Sequence, residues 1–166
     1  MTSVLKTDSI TAATDNTDLV LTGSGTGQVV LGTGGSVTIN TSGNVGIGTA
    51  TPAKQLEITG ASRATITSLT DATSIAIDFD TAQNFAVTLA GNRTLESPTN
   101  IDPGQTGSIF VVQDGTGSRT LSFGSVWKFA GGTAPTLSTA AAAVDRIDYI
   151  VQTSTAIHAV ATLALS

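Results

Sequence analysis

Between residues 19 and 58 the chain repeats one device, two apolar residues at i and i+2 set among glycines. The pairs are Leu19 and Leu21, Val29 and Leu31, Val37 and Ile39, Val45 and Ile47, and Leu56 and Ile58. On an extended chain such residues share a face and the residue between them points the other way. Each pair therefore reads as a short β-rung, with intervening residues such as Thr38 turned outward. Successive pairs begin 8 to 11 positions apart. The connections Gly23-Ser24-Gly25-Thr26-Gly27, Gly32-Thr33-Gly34-Gly35 and Ser42-Gly43-Asn44 are turn chemistry. Ten inward side chains bury too little apolar surface to offset the entropy of ordering about forty residues. Several copies wrapped around a common axis would bury both faces of each rung and close its open edges, and an intertwined β shaft over residues 19–60 is the expectation.

Charged residues make up 11% of the 166, against about a quarter in ordinary globular chains. Threonine takes much of their place. It is β-branched and fits either face of a strand, so the chain reads as all-β. The net charge of −5 comes from 7 basic and 12 acidic residues with no basic cluster, which argues against a nucleic-acid partner. The absence of cysteine excludes disulfides and thiolate metal sites. No apolar run approaches the roughly 20 residues of a membrane span, and Met1-Thr2-Ser3-Val4-Leu5-Lys6 lacks a signal-peptide core. The expectation is a soluble protein made in the cytoplasm, with no membrane insertion.

Residues 1–18 are polar, with Asp8, Asp15, Asn16 and Asp18 among small residues, and read as either a frayed end or an attachment segment clamped to a partner. Pro52 restricts Thr51 to extended geometry and marks a change of direction before the last rung. Gly60-Ala61-Ser62 looks like a boundary. From 61 to 166 the strands lengthen, and all five Phe, Trp127 and Tyr149 lie beyond residue 78, which makes a real core attainable. Alternation is clear in Ser74-Ile75-Ala76-Ile77-Asp78-Phe79-Asp80 and in Phe85-Ala86-Val87-Thr88-Leu89. Ser108-Ile109-Phe110-Val111-Val112 suits a strand covered on both faces. Ala90-Gly91-Asn92-Arg93 and Asp114-Gly115-Thr116-Gly117 are turn signals, and 145–152 and 156–165 form a closing pair around Thr153-Ser154-Thr155. The alanines of 138–144 allow about one turn of helix.

Little in this chain points to catalysis. His158, the one histidine, sits between apolar neighbours with no triad or second histidine, and reads as a structural strand position. Asp78 and Asp80 share a strand face about 7 Å apart, a spacing compatible with paired-carboxylate hydrolysis or one side of a Ca²⁺ site. Without an Asp-x-Asp-x-Asp-Gly pattern they read as a solvated face whose opposite side, Ile75, Ile77 and Phe79, packs inward. Asp145, Arg146 and Asp148 read as exposed ion pairing. The glycine runs at 23–27 and 46–48 are followed by no Lys-Ser/Thr and open no helix, so they imply no phosphate cradle. Trp127 with Lys128, beside Phe129 and the Gly131-Gly132 pair, offers a glycan contact if exposed and core packing if not. No cofactor, metal or enzymatic activity is expected.

Gly43-Asn44-Val45-Gly46-Ile47-Gly48-Thr49, followed by Pro52 and Leu56-Glu57-Ile58, resembles a motif of the trimeric shafts of bacteriophage tail fibres and related virion proteins. Residues 87–149 resemble a module of phage structural proteins through Leu89-Ala90-Gly91-Asn92-Arg93-Thr94-Leu95, Gly104-Gln105-Thr106-Gly107, Gln113-Asp114-Gly115-Thr116-Gly117 and the stretch 140–145. The resemblance implies a homotrimeric virion surface protein with a shaft and a knob. The ten rung residues become trimer-interface candidates, and 61–166 a C-terminal β-sandwich or jelly-roll-like knob. Two placements follow. As a head decoration or cement protein it would sit on the major capsid protein, the placement favoured by a small chain without a large anchor. As a short tail fibre, joined to tail or baseplate proteins, it would present the knob to a host surface glycan.

Overall fold

The computed structural model describes residues 29–31 and 37–165, so Leu19, Leu21 and the attachment segment lie outside the described residues. Every regular element in it is a strand apart from a single 3₁₀ turn at Ala130–Gly132. The fold is all-β. The chain divides into two compact units, Met1–Ser62 and Arg63–Ser166.

The first unit holds one sheet, in the order β1 (Val29–Leu31), β2 (Val37–Ile39), β3 (Val45–Ile47), β4 (Leu56–Ile58). The first two pairings are antiparallel and β3 with β4 is parallel. The side chain of Asn40 builds the β2–β3 turn, its Oδ1 accepting the amides of Ser42 and Asn44, both at 3.0 Å, while Gly43 takes φ +79°. A parallel neighbour needs a chain that crosses back, and the segment 49–55 does this. Its Pro52 carbonyl accepts Asn40 Nδ2 at 3.2 Å and Asn44 Nδ2 at 3.1 Å. The Glu57 carboxylate accepts the Ala53 amide at 2.7 Å. Gly46 is required here, because a Cβ would strike the Thr49 carbonyl and lie 3.3 Å from Pro52 Cδ.

In the second unit the chain alternates between two sheets. Strands β5 (Ile66–Ser68), β7 (Asn84–Leu89) and β9 (Thr106–Gln113) are parallel neighbours in one. Strands β6 (Ser74–Ile75), β8 (Arg93–Leu95) and β10 (Leu121–Phe123) are parallel neighbours in the other. Each crossover between parallel strands therefore runs through the opposite sheet, and the chain winds as a coil. The antiparallel hairpin of β12 (Val144–Thr153) and β13 (Ala156–Leu165) then pairs with β9, and β11 (Trp127–Phe129) joins β13 in parallel at the edge. A jelly roll would need antiparallel neighbours throughout, and this winding is different. The turns at 90–92 and 114–118 are corners between sheets rather than hairpins. Arg93 holds the first, its Nε 2.8 Å from Asp71 Oδ1. Asp114 holds the second, accepting Gly117 N at 2.9 Å and Arg119 Nη2 at 2.8 Å. Asn92 Oδ1 ties the two corners together by accepting the Thr120 amide at 3.0 Å.

Alternate residues from both sheets meet in one core. Ile75, Leu95 and Leu121 come from the smaller sheet and Phe85, Val87, Leu89, Ile109, Val111, Ile147 and Ile157 from the larger. Ile77 and Phe79 also point inward, as their alternation predicts. Phe79 stacks on Tyr149 at 4.7 Å and 6°, and Trp127 meets both edge-on. Burial pushes the Tyr149 phenol up to about 12, so it stays a neutral donor to the Gln83 carbonyl at 2.9 Å. The helical turn expected over 138–144 does not form. Asp145 captures the Ser138 amide and hydroxyl at 2.8 and 2.7 Å, and Ala142 turns left-handed at φ +58°. Local capture of this kind outweighs the modest helix preference of alanine.

Candidate functional site

In the first unit the two faces of the sheet are treated in opposite ways. Register places Val37 beside Ile47, Ile39 beside Val45, Val45 beside Leu56 and Ile47 beside Ile58, so the described rung pairs form one continuous apolar face. That face is open: Ile39, Ile47, Leu56 and Ile58 are 38, 41, 60 and 43% exposed, and Val37 and Val45 are half-buried. Val29 and Leu31 pair with Ile39 and Val37 along β1. On the other face lie Thr38 and Gly46, register partners. The loop 49–55 folds over Gly46. Thr38 was expected to face outward, yet it is fully buried, with no hydrogen-bond partner for its hydroxyl among the described residues. Among the described residues the small, polar face is thus covered by the chain's own loop and the large apolar face is left exposed. A half-solvated sheet in a self-sufficient domain does the reverse.

In the second unit Lys128, Asp148, Tyr149 and His158 line one open cavity together with Phe129, Ile150 and Val160. Among the described residues no group of three or more His, Asp or Glu side chains is placed to hold a metal. His158 lies exposed on β13, paired in register with Ile150 and Lys128. Asp78 forms an isolated bridge with Thr99, and Asp80 lies in the turn that follows rather than on the same strand. The Asp78 Oδ1 accepts Asn100 Nδ2 at 2.8 Å and the Asp80 amide at 3.0 Å, which holds the carboxyl below its usual range.

Asp145 departs from the expected exposed ion pair. It is 1% exposed and accepts three hydrogen bonds, two from Ser138 and one from Ala164 N at 2.9 Å. It fastens the loop before β12 to the end of β13. Arg146 and Asp148 do pair, at 2.9 Å. Burial pushes Asp148 up, but the Ser108 hydroxyl at 2.6 Å and the Arg146 guanidinium outweigh it and leave the carboxyl lowered.

Trp127 offers no stacking face to solvent. It is 5% exposed and its indole N–H donates to the Glu96 carbonyl at 3.0 Å. Lys128, its exposed neighbour, donates to the Ser125 carbonyl at 2.6 Å. Phe123 and Phe129, half-buried at the ends of their strands, border an open cleft beside Trp127. No protein-family model matches the chain, and neither does any curated protein or solved structure.

Proposed function

We propose that this chain is a structural protein of the exterior of a tailed bacteriophage, a short homotrimer that decorates or cements the capsid. The observation that carries the self-association is the inverted sheet of the first unit. Four large aliphatic side chains stand open on the face opposite the one that the chain's own loop covers. Three copies facing one another would remove those side chains from water, forming the shaft with Arg63–Ser166 as its knob. The placement on a virion rests on the resemblance of 43–58 and 87–149 to fibre shafts and phage structural modules. The major capsid protein is the proposed partner, and residues 1–18 are the proposed attachment.

The test is to image whole particles carrying an antibody against the knob. Label distributed over the capsid supports decoration. Label confined to the tail moves the protein to the fibre placement, and particles without the protein overturn the reading altogether.

A further inference from the structure

A solvent-open cleft lies in the second unit between the turn at 124–125 and the loop that follows β11. One wall is aromatic. Phe123 ends β10 and Phe129 ends β11, both half-buried, with ring centroids 4.7 Å apart and planes at 64°. Trp127 backs this wall, its ring 6.2 Å from Phe123. Gly132, Ala134 and Pro135 form the other side. On that side Ala134 and Pro135 exchange no hydrogen bond with other backbone groups of the described residues. The rim adds Ser125 and the Lys128 ammonium, which donates one hydrogen bond to Ser125 O and retains two further donors.

We infer that this cleft is a saccharide-binding site. A pyranose presents a C–H face that packs on aromatic rings and a girdle of hydroxyls that needs both donors and acceptors. The cleft supplies both, side by side. A wholly apolar ligand would desolvate the rim groups without replacing their hydrogen bonds, a net cost. Lys128 further favours a sugar carrying a carboxylate over its neutral parent. Phe129 and Phe123 are thus contact residues, and Trp127 is a buried reporter behind them. The inference goes beyond exterior placement and requires no particular copy number.

The chain has a single tryptophan, behind this wall, so its fluorescence serves as a reporter on the cleft. Titrate the full chain with oligogalacturonides and with neutral malto- and cello-oligosaccharides at millimolar concentration. The expected result is a saturable change in emission, at lower concentration for the uronate series. Phe129→Ala is expected to weaken binding about tenfold or more, the equivalent of one lost aromatic contact. Phe129→Tyr should retain binding, and Lys128→Met should abolish only the preference for the uronate. If Phe129→Ala does not fold, the Phe129→Tyr and Lys128→Met titrations carry the test. A flat response to every saccharide overturns the inference. So does an identical titration of a folded Phe129→Ala protein, or a response to a proline-rich peptide with the saccharides silent.

Discussion

Asp145 is the clearest case of a polar residue fixing a fold rather than a reaction. It is buried without a cationic partner among the described residues, and the amides of Ser138 and Ala164 with the Ser138 hydroxyl solvate its charge. Asp145→Asn keeps the shape but turns one oxygen into a donor that faces donors. The expected loss is about 2 kcal/mol or more, checked by denaturant unfolding. Asp114 works at the surface through pH. Hydrogen bonds from Arg119, then from Gly117, lower its pKa from 3.8 to about 2. A depressed carboxyl stabilises the fold above its unfolded pKa and loses that contribution as pH falls through the folded one. The melting-temperature gap between wild type and Asp114→Asn is therefore widest above about pH 4 and closes toward pH 2. A gap that stays constant with pH would show that the Asp114 charge does not anchor the corner.

Among the elements, the segment before β12 carries a removable strain. Ala142 sits at φ +58°, a conformation that costs an L-residue with a Cβ roughly 1–2 kcal/mol, whereas glycine adopts it freely at some cost in unfolded-chain entropy. Ala142→Gly should raise the melting temperature slightly, by the equivalent of up to about 1 kcal/mol. Thermal melting checks it, and a lower value would mean that the methyl group has packing worth more than the strain. Which residues turn inward was legible in the sequence, because alternation at Ile75, Ile77 and Phe79 and at Phe85, Val87 and Leu89 matches burial residue by residue, although β6 itself stops at Ile75. The strands' partners were not. A corner between sheets and a hairpin use the same Gly, Asn and Asp, and only the distant ties of Arg93 to Asp71 and of Asn92 to Thr120 decide between them. Trp127 near two glycines left an exposed platform and core packing both open. The carbonyl of Glu96, far off in sequence, draws its indole into the core. Thr38 misled for a related reason, since the i, i+2 pattern marks two faces but does not say which one a loop will cover.

At the scale of the whole molecule, two further copies are proposed to cover the exposed apolar face of β2, β3 and β4. Ile47→Asp would bring three carboxylates together where none can be paired, at several kcal/mol for each buried charge. Ala50→Asp, on the exposed loop, should change little. Secondary-structure melting of the two variants should therefore separate widely. Removing residues 1–18 should leave the trimer folded but absent from purified particles, whereas normal incorporation would move the attachment to the knob. The central claim is tested most directly by the native mass of the full chain in solution, measured by light scattering over a wide range of concentration. The account predicts three times the 16.6 kDa of one chain, with dissociation on dilution coupled to unfolding of the first unit. A single-chain mass at every concentration, with the sheet of the first unit intact, would contradict it.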